Sequence, residues 1–492
     1  MASTTAEFSG AHAPDLPFPA DRRTPLDWSV VPVATPSQGG PTVLEPPTGV
    51  AAAEGRLRLT VACDLRGAVR VHVRSAKTNR PLAAYDIRYP DCHQPYDAPL
   101  DREATRLALA EGVSLSLSEP PPHDRDFADD SPPTLWIFAG PKAPPERRPV
   151  LLLDGEPGPA APATALHRTL TGIGSLQPFG WMEGCVLDAL YDLTVTFPGD
   201  GRARRALADH LAVYFPDGTL RYEDPRGRPA DHRLYGIEAT LPYAVLAKRN
   251  PLDPALARAV ESWRVRADDE GCVKDAPTTA EGSYTVAYPM AVIARTTDAP
   301  LRESALRQLR LRQARLCRGG DLYLRLLPDG SRVYRNWARA YAWYLLGLVR
   351  TLTELGERAD TAGLWEEARR VAALVLSRRT PEGIWDCFLG EPQTGTETCG
   401  SAGIAAALAL GTEQGRFDPD REGAAALETW QVLTERHLTD DGWLTGGSPS
   451  NKGGEELQRG GYRMLSGVGN GLMGQLGAAL VRLGTLADWT RP

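Results

Sequence analysis

The chain of 492 residues is poor in several signals, and each absence removes a class of function. No run approaches the length of a membrane span, and the first 23 residues lack an apolar core behind a basic start, so neither a transmembrane protein nor a secretory signal is expected. There is no lysine-rich run, and a net charge of −7 is spread along the chain, which argues against nucleic acid as a partner. The seven cysteines are an odd, scattered set without a Cys-x-x-Cys pair, so neither a zinc site nor a disulfide framework is expected and a reducing cytoplasm fits. His93, His210 and His232 have no spaced partner and read as structural or surface residues.

What is present divides in two. Apolar residues make up 42% and charged residues 24%, the composition of a folded protein, and the length suggests a multidomain chain. Residues 1–25, rich in Pro and Ala, read as a flexible N-terminal lead or an arm on the surface. Residues 26–158 have β texture. Segments 55–61 and 69–73 alternate apolar and polar with period two, with 65–68 between them as a hairpin turn. Further strands are expected at 83–87, 113–117, 134–138 and 150–153, which together suggest a β-sandwich-like domain. The Gly- and Pro-rich stretch 155–162 marks a boundary. From 159 to 492 about a dozen helical segments follow one another, without a clean repeat, as in a closed all-α toroid, the (α/α)6 barrel. An open superhelix of helix pairs has the same periodicity.

One helix stands out. Trp337, Tyr341, Tyr344, Leu348, Leu352 and Leu355 draw an apolar stripe, while Arg339 and Trp343 form a second line beginning with a guanidinium. Arginine beside flat rings suits an acidic sugar, although aromatic stripes are more often core. Trp181, Trp385 and Trp443 each sit at a loop or helix start, where an indole can stack on a sugar or plug the core.

Several blocks resemble the unsaturated uronyl hydrolases of glycoside hydrolase families 88 and 105. Trp337, Arg339 and Trp343 match a Trp-x-Arg-Gly-Asn-x-Trp block, with Ala340 and Tyr341 in place of Gly-Asn. Gly383-Ile384-Trp385 and Glu397-Thr398-Cys399-Gly400-Ser401-Ala402 match two more, and residues 467–471 match a closing glycine-rich loop more loosely. The resemblance covers about 160 to 492. It implies an (α/α)6-barrel enzyme using two aspartates, but the corresponding stretches contain Glu281, or Tyr284 in an ungapped match, and Glu238. That departure also suggests a sister family, the family 154 β-glucuronidases.

The resulting expectation is an exo-acting glycoside hydrolase that releases a terminal β-linked uronic acid, saturated or 4,5-unsaturated, from an oligosaccharide. Glu281 is expected as general acid and Glu238 as base, with no metal or cofactor. Glu183 and Glu397 are further candidates, and Arg339, Arg335 and Arg463 are candidates for the uronate carboxylate. Trp337, Trp343, Tyr284, Trp181 and Trp385 are expected to contact substrate. Each glutamate is equally accounted for as a helix N-terminal acid, and each arginine by ordinary ion pairing. A lyase or epimerase on the same toroid, or a glycan-binding protein without catalysis, is the alternative; no membrane partner is expected, and a homodimer is allowed.

Overall fold

A computed structural model describes residues 4–47, 54–118, 133–154, 162–296, 299–356 and 360–491. In the N-terminal part, a four-stranded antiparallel sheet has the spatial order Thr4–Glu7, Val150–Leu153, Gly55–Thr60, Pro95–Leu100. A five-stranded sheet has the order Ala11–His12, Thr42–Leu44, Val113–Leu117, Ala68–Ser75, Pro81–Arg88. The inward residues of both, among them Leu57, Leu59 and Leu151 from the first and Val71, Ile87 and Leu115 from the second, form one apolar core. Period-two alternation places those side chains on one face of each sheet.

Three expectations change here. Residues 55–61 and 69–73 do not form a hairpin, because their strands lie in different sheets and residues 61–67 carry the chain from one to the other. The N-terminal segment is not a free lead over its described part: Thr4–Glu7 pairs with Val150–Leu153, and Arg23 reaches Asp231 and Glu223 in the helical part. A helix also forms at Arg102–Glu111, where Asp101 caps it by accepting from the Ala104 N–H. The boundary expected at 155–162 lies, except for Pro162, outside the described residues.

The C-terminal part closes into a ring. Its helices in chain order are α1 Pro162–Leu170, α2 Trp181–Thr196, α3 Gly201–Tyr214, α4 Pro242–Arg249, α5 Leu256–Arg266 and α6 Tyr288–Ile293. They continue as α7 Ala299–Leu316, α8 Ala338–Leu355, α9 Ala362–Ser377, α10 Thr398–Glu413, α11 Ala424–Arg436 and α12 Gly467–Arg482. The even-numbered helices pack each against the next, and α12 packs against α2, which closes an inner ring. The odd-numbered helices lie outside it. Closure explains the sequence texture: α8 is buried along almost its whole length because it has helices on every side. No described helix is long and apolar enough to cross a membrane.

Strands also form within the helical run. Residues 317–335 form a small antiparallel sheet, Asp321–Leu326 pairing with Arg332–Arg335 and with Thr278–Thr279, where only interhelical loops were expected.

The two parts share a core. Trp28, Ala62, Cys63, Trp136 and Phe138 from the sheets are buried in the same apolar cluster as the toroid helices. Polar contacts add to it: Arg56 and Arg58 both bind Asp441, and buried Arg147 donates to the carbonyls of His93 and Ile173.

Candidate active site

The N-terminal ends of the inner helices converge on a cavity of about 380 Å³. Trp181 and Met182 begin α2, Glu238 precedes α4 and Glu281 precedes α6; Arg325 projects from the 317–335 sheet. Arg66 and Asp91, from loops of the N-terminal sheets, complete the wall with Asn451 and Lys452.

Glu281 is held in a tight backbone setting. A Cβ on the next residue, Gly282, would lie 2.0 Å from the Arg312 guanidinium, which is fully buried and bound to the carbonyls of Thr279 and Val273. On the other side Gly347 of α8 lets that helix touch the Ser283 backbone, where a Cβ would come within 2.3 Å. Glu281 itself is buried, and its Oε2 has no hydrogen-bond partner.

Glu238 sits on the single helical turn Ile237–Thr240, whose first N–H is taken by the Asp275 carboxylate at 3.1 Å. The Thr240 hydroxyl donates to the Thr285 carbonyl and so ties this turn to the one that follows Glu281. Both carboxyl groups line the same cavity. Burial, followed by the charge of Glu281, pushes the Glu238 carboxyl well above the ordinary carboxylate range, and the positive charge of Arg325 only partly opposes this.

In this cavity Arg325 Nε and Ser450 Oγ are buried without partners, and Ser448 Oγ and Arg339 Nε are likewise unpartnered at a small adjoining void. Buried polar atoms normally find a partner, so these are available to a polar ligand.

Of the residues expected from sequence, the cavity gathers Glu281, Glu238 and Trp181. Arg339 and Trp337 lie beside it. The Arg339 guanidinium stacks 4.4 Å over the Trp337 ring, donates to the Pro449 carbonyl and lines a small adjoining void of about 20 Å³. Trp343 and Tyr284 are buried behind Trp181: Trp343 meets it edge-on at 5.3 Å, and Tyr284 stacks on Trp343 while its hydroxyl donates to Asp188.

The others are structural. Glu183 is fully buried, paired with His210 at 2.8 Å and accepting from the Gln177 N–H. Glu397 caps α10 through the N–H groups of Cys399 and Gly400 and also accepts from Ser448. Trp385 is a core plug whose indole donates to the Val375 carbonyl. Arg335 is an exposed partner of Asp321, and Arg463 is spent on the carbonyls of Thr394 and Thr396. Arg325, Tyr235, Arg66, Asp91 and Lys452 were not anticipated. Only Arg325 carried a readable signal, the alternating Leu322-Tyr323-Leu324-Arg325-Leu326 before the turn Pro328-Asp329-Gly330.

With this geometry in place, the comparisons with known proteins are specific in the second half of the chain. The model of Glycosyl Hydrolase Family 88 matches residues 329–482. Protein Atu3128 of Agrobacterium fabrum is 32% identical over 152 residues, 28% of this chain and 65% of that protein, so the chain spans less than two thirds of this relative. An unsaturated 3S-rhamnoglycuronyl hydrolase of Formosa agariphila is 26% identical over 138 residues, 27% of this chain and 36% of that enzyme. Among solved structures, a possible member of the GH105 family from Salmonella enterica has a TM-score of 0.56 at 16% identity, over 68% of this chain and 98% of that one. At that identity the likeness speaks to the fold, which is the same helical toroid.

Proposed function

We infer that this chain, related to Glycosyl Hydrolase Family 88 through residues 329–482, is a hydrolase that removes a terminal uronic acid from an oligosaccharide, with the 4,5-unsaturated uronate as its substrate. The observation that carries this reading is the carboxyl pair. Glu238 and Glu281 line one cavity, and burial together with the charge of Glu281 favours the protonated form of Glu238, which sets a proton donor near a second carboxyl group. Hydration of a vinyl ether uses such a pair. Glu238 delivers its proton to C4 of the unsaturated ring, and water adds at C5 as Glu281 takes a proton from it; the hemiketal then opens and the neighbouring sugar leaves. The roles are therefore exchanged relative to the sequence expectation, because Glu238 is the carboxyl that burial and the charge of Glu281 favour in its protonated form.

Arg325 supports the same substrate. It lies in the cavity with an unpaired Nε and exerts its charge on Glu238, so it is placed to bind the uronate carboxylate beside the acid. Trp181 offers a ring face or edge to the sugar.

Purified protein given an unsaturated uronyl disaccharide is expected to abolish the ultraviolet absorbance of the double bond and to leave 4-nitrophenyl β-glucuronide intact. Nitrophenol release alone would transfer the assignment to a β-glucuronidase. New absorbance from intact polymer would instead identify a lyase.

A further inference from the structure

The arginines that join the N-terminal sheets to the toroid are almost all committed. Arg58 is shared between Asp97 and Asp441, Arg56 binds Asp97 and Asp441, Arg23 binds Asp231 and Glu223, and Arg147 is bound to carbonyls. Arg66 is the exception in the cavity wall. It stands on the crossover loop between the two sheets, and its Nε makes no hydrogen bond, only a loose 3.4 Å ion-pair approach to Asp64. Asp64 is already engaged by Arg22 at 2.8 Å, and Lys452 is anchored on Asp91 at 2.7 Å. On this side of the cavity Arg66 and Lys452 line the wall with one carboxylate, Asp91, which Lys452 already engages.

The groups lining the cavity differ in origin. The carboxyl groups and Arg325 belong to the helical part and its inserted sheet, whereas Arg66 and Asp91 come from loops of the N-terminal sheets. Given the function inferred above, on which this step rests, the terminal uronate takes Glu238, Glu281 and Arg325. Arg66 is then left to the sugar beyond the scissile bond.

We propose that Arg66 is a specificity-determining residue that recognises a second anionic group, a sulfate ester or a carboxylate, on the sugar next to the terminal uronate. A guanidinium held this loosely at a half-buried wall forms a forked, charge-assisted pair with either oxyanion, which a neutral sugar cannot offer.

The test uses three unsaturated uronyl disaccharides whose second sugar is neutral, O-sulfated or carboxylated, assayed with the full chain and with Arg66→Ala and Arg66→Lys. The expected result is a wild-type preference for one or both anionic substrates. In Arg66→Ala the kcat/KM for the preferred substrate falls by about tenfold to a hundredfold, mainly through KM, while the neutral substrate changes by less than about threefold. Arg66→Lys restores part of the loss, because it keeps the charge without the fork. Preference for the sulfated or the carboxylated sugar alone identifies which oxyanion is read. Turnover of all three with ratios that Arg66→Ala leaves unchanged overturns the role of Arg66 and leaves the hydrolase reading intact. Turnover of none by the wild type overturns the hydrolase reading, and the proposal falls with it.

Discussion

At the scale of single residues the site is governed by one proton and its ownership. Because burial and the neighbouring Glu281 raise the Glu238 carboxyl, its proton is retained at pH values where an exposed glutamate has lost it. The linkage has a definite sign. A carboxyl raised in the folded state contributes stability below the unfolded value of about 4.3, and that contribution is lost as pH rises through the folded value. Glu238→Gln, which removes the ionisable group, is therefore expected to be more stable than the wild type at pH 8 and nearly equal to it at pH 4, as read by urea unfolding. The same substitution is expected to lower kcat by about a hundredfold or more, since it leaves no acid at the reacting carbon. Equal stability of the two proteins at both pH values would mean that the carboxyl is not raised. Arg325→Ala tests the other partner: KM for an unsaturated uronyl disaccharide should rise by about tenfold or more, whereas Arg335 is exposed and its partner Asp321 keeps Arg378, which makes Arg335→Ala nearly silent. Much of this was legible in the chain, since Glu281, Glu238 and Trp181 were identified from spacing and family blocks. Glu183 and Glu397 show the limit of that method, for an acid at a helix start serves a buried histidine or a ring of backbone N–H groups as readily as a substrate.

At the scale of elements, periodicity carried the helices and failed at the connections. All of the inner helices announced themselves, but the 317–335 sheet lies between two strong helical patterns, and the alternation that carries Arg325 reads there as part of a loop. The expected hairpin at 55–73 failed for a related reason. Alternation gives the face of a strand, not its neighbour, so the two strands could belong to different sheets, and the crossover between them is what carries Arg66 to the cavity. The contact between α8 and the Glu281 turn gives a test of how the elements position the site. Gly347→Ala should gain up to about 1 kcal/mol in helix propensity. The added carbon would meet the Ser283 backbone at 2.3 Å, a contact that no rotamer change relieves, and overpacking of that kind costs about 1–3 kcal/mol. The net expectation is lower stability in denaturant unfolding together with a lower kcat, because relieving the clash moves the turn that carries Glu281. Unchanged stability and activity would show that the helix and the turn are not in register as described.

At the scale of the whole molecule, the sheets and the toroid act as one body. The largest apolar cluster runs through both, taking in Trp28, Trp136 and Phe138 with Leu170, Leu176 and Phe179, and Asp441 on the toroid is the common anchor of Arg56 and Arg58. Removing one partner from such a buried ionic group strands the others, at a cost of about 3–5 kcal/mol, reduced here because Asp97 still holds both arginines. Asp441→Ala should therefore lower the midpoint of thermal unfolding while the transition stays single, because the shared core still couples the parts. Two separated transitions would show instead that the sheets and the toroid fold independently and merely touch. The stronger form of the same argument concerns residues 162–492 expressed alone. Without the sheets, the apolar residues of α1 and of the segment leading into α2 lose the cluster they share with Trp136 and Phe138, and the cavity loses the wall formed by Arg66 and Asp91. The truncated protein should accumulate as aggregate and, in any soluble fraction, bind an unsaturated disaccharide weakly. A monodisperse and fully active fragment would contradict both steps, since it would place folding and substrate recognition in the toroid alone.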